Sequence, residues 1–160
     1  MKNVFKILAS AVLAAGLAGC SAAAGDTVDF ESGQAIVDEF GKQDFTVENF
    51  SKSEEGQVSF KVAGENGGAN VRIQSFDSIT EALDQYDQTK AAMTQSDYYM
   101  IGEKENGMGS MAAFNNSINY NYAIVAFDAR SNTMVVVSEI AQDNLDEVYD
   151  VLAQYGFDFQ

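Results

Sequence analysis

Between residues 57 and 74 apolar and polar side chains alternate with a period of two on either side of Asn66-Gly67. Val58, Phe60 and Val62 are separated by Ser59 and Lys61, and Ala69, Val71 and Ile73 by Asn70 and Arg72. That period puts each apolar set on one side of a pleated strand, and Asn-Gly accepts the positive φ of a tight hairpin turn. The segment therefore reads as a hairpin with one apolar face, which is stable only when that face lies on a core. Phe45 and Val47 alternate in the same way before a turn at Glu54-Glu55-Gly56, so three antiparallel strands are expected here.

The second half repeats the scheme. Tyr98 to Lys104 and Met108 to Phe114 flank Asn106-Gly107, and Asn119 to Phe127 and Thr133 to Ile140 flank a turn at Asp128 to Asn132. Four further strands follow from that spacing. Three stretches have helical spacing instead. Ser32 is placed to cap a short helix in which Ile36, Val37 and Phe40 share a face, with Gly41 at its end. Ser78 and Glu81 fit a capping box ahead of the stripe Ile79, Ala82, Leu83, Tyr86 and Met93,. Asn144 and Glu147 fit another, ahead of Leu145, Val148, Tyr149, Leu152 and Tyr155, with Gly156 closing the helix and Phe157 and Phe159 docking the tail,.

The expected class is α+β: an antiparallel sheet of about seven strands in two hairpin-rich groups, two main helices and a short N-terminal helix. A helix followed by antiparallel strands, used twice, resembles the layout of the β-lactamase inhibitor protein family. That likeness implies a fold and nothing about activity.

The N-terminus has a different grammar. Lys2 and Lys6 precede an apolar run from Ile7 to Leu17, which ends in Ala18-Gly19-Cys20. The run is shorter than the ~20 apolar residues a helix needs to span a bilayer, so it reads as a secretory signal. Leu17-Ala18-Gly19-Cys20 resembles the lipobox of bacterial lipoproteins. The resemblance covers roughly the first 20 residues and implies that residues 1–19 are removed and a diacylglyceryl group is attached to the sulfur of Cys20. Residues 20–28 would form a lipidated tether and 29–160 a single domain beside a membrane. Two or three acyl chains hold firmly where one holds marginally, each buried methylene contributing about 0.8 kcal/mol. The implied location is the cell membrane or outer membrane, on the extracytoplasmic side, and Ser21 in place of Asp after the cysteine is compatible with outer-membrane sorting.

Charge and missing residue types narrow the function. The chain carries 24 acidic and nine basic residues, a formal net charge of −15. Loss of Lys2 and Lys6 with the signal would take this to about −17, which makes nucleic acid a poor partner and holds the domain off an anionic bilayer. There is no histidine, and the one cysteine is Cys20, so serine-histidine, cysteine-histidine and ordinary zinc chemistry are excluded from this chain alone. No catalytic residue, metal site or cofactor is indicated. Catalysis would have to rest on a carboxylate pair, which depends on spacing in three dimensions.

The most unusual stretch alternates amides with tyrosines: Asn119-Tyr120-Asn121-Tyr122, after Asn115-Asn116-Ser117-Ile118. A period of two places Tyr120 and Tyr122 on one face. Facing outward, the two rings and the amides of Asn119 and Asn121 would suit a sugar or a peptide. Facing inward, they are core, as the continuation through Ile124 and Ala126 favours. Tyr98 and Tyr99 pose the same question. Asp143, Asp146, Glu147 and Asp150 form an acidic stripe that could hold calcium, although a solvated helix face is the plainer reading. Lys90 beside the apolar stripe reads as a snorkelling lysine. Arg72 and Arg130 could each clamp a carboxylate or phosphate, with neighbouring acids as the expected partners. Taken together, the expectation is a lipid-anchored, non-catalytic envelope domain that binds a protein or an envelope polymer. The alternatives are an assembly lipoprotein that meets a membrane-protein partner through a sheet edge, or a small carboxylate-dependent hydrolase.

Overall fold

The structure is a computed structural model that describes residues 33–157. The expected signal, Cys20 anchor and tether, the expected Ser32 cap and Phe159 lie outside the described residues. Helix α1 (Gly33–Lys42) precedes strands β1 (Thr46–Lys52), β2 (Gln57–Gly64) and β3 (Gly67–Ser75). Helix α2 (Ile79–Gln95) leads to β4 (Tyr98–Asn106), β5 (Gly109–Asn116), β6 (Asn121–Asp128) and β7 (Thr133–Ala141). A 3₁₀ turn (Gln142–Asn144) enters α3 (Leu145–Ala153).

All seven strands form one antiparallel sheet in the order β1-β2-β3-β7-β6-β5-β4. The two expected hairpin groups are two meanders joined along β3 and β7, from Asn70 opposite Ser138 to Ser75 opposite Thr133. Helix α2 carries the chain from β3 in the middle of the sheet to β4 at its edge. The class is α+β.

The alternation read from sequence sorts onto the two faces. On one, Val58, Phe60, Val71, Ile73, Val135, Val137 and Ile124 pack with Ile36 and Phe40 of α1 and Val148, Val151 and Leu152 of α3. Phe40 meets Phe45 and Phe60 edge-on, with ring centroids 5.7 and 5.9 Å apart, and truncating such a buried ring to alanine costs about 3–5 kcal/mol. On the other face Ala82 and Tyr86 of α2 pack on Phe114, Val125, Phe127 and Met134. Helix α2 lies over β4, β6 and β7. The second face of β1–β3 is left without a helix, and so is the first face of β4 and β5. These two bare areas sit at opposite ends of the sheet and on opposite sides of it.

Several local expectations are corrected. Gly64 pairs with Gly67 and Asn106 with Gly109, so the two-residue loops are Glu65-Asn66 and Gly107-Met108. In neither does Asn-Gly take both central positions. Gly67 follows its loop at φ 131°, and the Asn106 side chain accepts from Met108 N at 2.8 Å. The left-handed residue closing α1 is Asp44, at φ 63°, and not Gly41; beyond it Phe45 N returns to Phe40 O at 3.2 Å. Leu83 is exposed on the flank of α2, and Thr89 takes a buried place in the stripe with its hydroxyl donating to Gln85 O.

The two capping boxes fare differently. Ser78 Oγ accepts from Glu81 N at 3.2 Å. Asn144 makes no such bond, because the 3₁₀ turn holds it at φ −108°, ψ 6°, outside the extended region a capping residue needs,. Gly156 does close α3, at φ 86°, with Phe157 N bonded to Leu152 O,.

Candidate functional site

The tyrosine-amide stretch is divided by a turn. Strand β6 begins at Asn121, two residues later than the alternation suggests. Asn116, buried at the end of β5, accepts from Ile118 N at 2.9 Å and Asn119 N at 3.0 Å through its Oδ1. Its carbonyl accepts from Tyr120 N at 2.9 Å. This short Asx-type frame leaves Tyr120 at φ 55°, a left-handed conformation that costs an ordinary side chain roughly 1–2 kcal/mol. The ring stands 76 % exposed.

The four residues named from sequence therefore part company. Tyr122 is half-buried and packs on the core beneath α1 and α3, so Tyr120 and Tyr122 do not share the environment that a continuous strand would impose. Asn121 accepts from the Tyr98 hydroxyl at 2.9 Å. Its carboxamide oxygen is thus engaged in holding β4 to β6. Asn119 sits exposed in the turn.

What the fold does assemble is a concavity of about 320 Å³ lined by Tyr99, Ile101, Asn115, Ser117, Tyr120, Tyr122 and Gln142. The register explains it. Tyr99 on β4 lies opposite Asn115 on β5, which lies opposite Tyr122 on β6, so the three project from the bare first face in a row. Tyr120 closes one side from the turn and Gln142 another from the segment before α3. Tyr99, Ile101 and Gln142 join the site only through tertiary structure; the Tyr98-Tyr99 pair was the one hint in the sequence. That pair is now resolved, with Tyr98 half-buried against the α2 core and Tyr99 outward. Burial, and then the charge of Glu139, raise the phenol pKa of Tyr98 against the lowering effect of its hydrogen bonds, so it holds Asn121 as a neutral donor.

Near the concavity Tyr99, Ile101, Ile118 and Tyr120 are exposed, as is Met100 on the other side of the same edge strand, and only Phe50 and Leu83 are comparably exposed large apolar residues elsewhere among the described residues. Met100 and Ile101 belong to the edge strand, where the pairing slips between Met100 and Gly102. No family model, curated protein or solved structure matches this chain. The site is consequently interpreted from its own chemistry: three phenol rings, two carboxamides and a hydroxyl, with no charged side chain among the lining residues.

The remaining candidates resolve as follows. Lys90 Nζ lies 2.5 Å from Glu103 Oε1, 3.3 Å from Asp87 Oδ1 and 4.5 Å from the centre of the Tyr86 ring. It is an ion-paired lysine covering an aromatic, more tied down than snorkelling implies. Arg130 grips Asp128 with Nε at 3.0 Å and Nη2 at 3.1 Å, and Nη2 also donates to Tyr155 O at 3.1 Å. Its partner is thus an acid of the chain. Arg72 departs from that expectation, since no carboxylate is paired with it among the described residues. The acidic stripe of α3 does not converge, and no group of three metal-binding side chains occurs among the described residues.

Proposed function

We propose that this chain is a lipid-anchored extracytoplasmic envelope protein whose domain binds, without catalysis, an uncharged segment of a partner protein or envelope polymer. The observation that supports a binding role most directly is the concavity formed by Tyr99, Tyr120 and Tyr122 with Asn115 and Gln142. Phenol rings offer large contact area at low entropic cost, and carboxamides both donate and accept, which suits neutral hydroxyl and amide groups. A strained, exposed Tyr120 fits the same reading, because strain persists where a side chain's presentation matters. The concavities on both sides of the sheet are lined without a carboxylate, which favours binding over acid-base hydrolysis.

The anchor rests on the Leu17-Ala18-Gly19-Cys20 motif alone. Among the described residues no helix is long and apolar enough to cross a membrane. The test has two parts. Mass spectrometry of the native protein is expected to find Cys20 as an acylated N-terminal residue, and a bare thiol or a retained Met1 would overturn the anchoring. Photo-crosslinking of the native protein in its own envelope, with the crosslinker at Ile118, is expected to capture a specific partner that Tyr99→Ala with Tyr120→Ala abolishes. Undiminished capture by that double variant would overturn the site.

A second reading is favoured by Met100 and Ile101 alone. They lie half-exposed on the outermost strand, whose outer backbone edge pairs with no described strand. Such an edge can take an added strand from a partner, as an assembly lipoprotein would require. Lysine substitution at Met100 would abolish capture in that case and leave a ligand held in the tyrosine concavity.

A further inference from the structure

The bare second face of β1–β3 carries Arg72, and its surroundings are unusual for a chain with 24 acids. Ser59 lies opposite it on β2 and Val136 opposite it on β7. The diagonal positions are Gln57, Lys61, Met134 and Ser138, and along its own strand the same-side neighbours are Asn70 and Gln74. None is acidic. The wall facing this floor is the C-terminal half of α2, where Gln85, Gln88, Thr89, Met93 and Ser96 line the groove and again no acid appears.

Of the seven described cations, Lys42, Lys90 and Arg130 are ion-paired, and Lys52 and Lys104 have interactions of their own. Arg72 and Lys61 have none among the described residues, and both are exposed. Cross-strand diagonal neighbours of this kind lie ~7 Å apart. Two acids flank these neighbours: Glu48 is opposite Lys61 on β1, and Glu139 is held by the Asn70 carboxamide at 2.5 Å. Two adjoining concavities, of about 430 and 400 Å³, share Arg72 and Met93. The guanidinium therefore stands at the middle of one groove between sheet and helix.

From this geometry we infer a second binding site, on the opposite face of the sheet from the tyrosine concavity, for a monoanionic carboxylate borne on a polyhydroxylic molecule, such as an acidic sugar. Arg72 would hold the carboxylate through its paired N–H donors. Glu48 beside Lys61 and Glu139 beside Asn70 leave no net positive charge around the groove, which disfavours a phosphate dianion more than a single carboxylate gripped by the guanidinium itself. The backbone of the floor is already used in the β-ladder, so recognition falls to side-chain amides and hydroxyls: Gln85, Gln88, Ser59 and Ser138. These groups pair naturally with sugar hydroxyls, as donor and as acceptor. A peptide would need the backbone contacts that this floor lacks.

The test is titration of the full-length protein in neutral detergent, followed by ¹⁵N–¹H NMR that includes the arginine side-chain signals, with glucuronate, inorganic phosphate and glucose as separate probes. Glucuronate is expected to shift Arg72 Nε–H and the amides of β3 saturably, with a dissociation constant of order millimolar for so open a groove. Phosphate should bind more weakly and glucose not at all. Arg72→Gln, whose side chain is exposed and whose fold is checked by its unchanged spectrum elsewhere, should weaken glucuronate roughly tenfold or more. Lys42→Gln on α1 should leave it unchanged. Equal binding of glucose, tighter binding of phosphate, no saturable shift, or full affinity in Arg72→Gln would each overturn the proposal. Because Tyr99 and Tyr120 lie on the other face, their substitution leaves this titration intact, and either site can fail without the other.

Discussion

Lys90 Nζ lies 2.5 Å from Glu103 Oε1, so that one ion pair fastens the middle helix to the edge strand. Tyr86, buried beneath the pair, donates its hydroxyl to the same carboxylate at 3.2 Å. Burial first, and then the charge and hydrogen bond of Glu103, raise the phenol well above its usual value of 10.0. For Lys90 burial pulls the other way, but the hydrogen bonds and charges of Glu103 and Asp87 outweigh it and raise its pKa as well. Both groups hold their protons more tightly folded than unfolded.

The stability these groups contribute should accordingly be fully present and independent of pH below their unfolded pKa values, and be lost as pH rises past about 10, where the unfolded chain binds fewer protons than the native one. Tyr86 adds a slope of up to about 1.4 kcal/mol per pH unit in that range, and the more solvent-screened Lys90 adds less. Urea denaturation from pH 8 to 11, followed by circular dichroism, should show the midpoint declining above about pH 10. Tyr86→Phe should flatten the decline. An alkaline limb identical in Tyr86→Phe and the parent protein would show that the phenol is not the linked group.

Arg130→Ala should be among the most destabilising surface-loop substitutions. Asp128 is only 1 % exposed, and loss of the guanidinium leaves a buried carboxylate without its counter-charge, at a cost of about 3 kcal/mol. Arg130→Lys should recover only part of this, since an ammonium cannot reproduce the two-pronged grip. Chemical denaturation midpoints of the two variants measure the difference.

Tyr120→Asn should separate stability from binding. Asparagine adopts the left-handed conformation at lower cost than tyrosine, so the turn should gain roughly 0.5–1 kcal/mol while the exposed ring disappears. Thermal melts are expected to move up slightly and capture of the partner to be lost. A melt shifted down by several degrees would mean that the ring supports the fold.

Glu147→Ala tests the failed capping box. A working box would lose about 1 kcal/mol on this change. Here Asn144 Nδ2 and Glu147 Oε2 are each buried without a hydrogen-bond partner among the described residues, so removing a carboxylate with one unsatisfied oxygen should change stability by less than about 0.5 kcal/mol or raise it. Denaturation curves decide between the two values.

Strand number, antiparallel sense and the positions of three helices were legible in the sequence because they follow from local periodicity. Val58-Phe60-Val62 and Ala69-Val71-Ile73 each declare one buried face without reference to the rest of the chain. Turn detail was less legible. Asn66-Gly67 and Asn106-Gly107 signalled hairpins correctly, but the central positions were decided by ladder register and by the Asn106 side chain. Asp44 took the role expected of Gly41 because α1 runs on to Lys42 before the chain reverses.

The site depended on relationships that no local pattern contains. A continuous strand through residues 119–127 would have set Tyr120 and Tyr122 alike, whereas the buried Asn116 frame turned one outward and left the other on the core. Tyr99 and Gln142 reach the same concavity from segments 43 residues apart, through the pairing of β4, β5 and β6. Arg72 was legible as a guanidinium able to clamp a carboxylate, but its expected partner was a neighbouring acid, and strand register places none opposite it. By itself the sequence determined which residues must be buried, since apolar periodicity is a property of neighbouring positions. Only the tertiary structure decided which polar residues meet and which charge is left unanswered, because strand order and the placing of helices across the two faces set those distances.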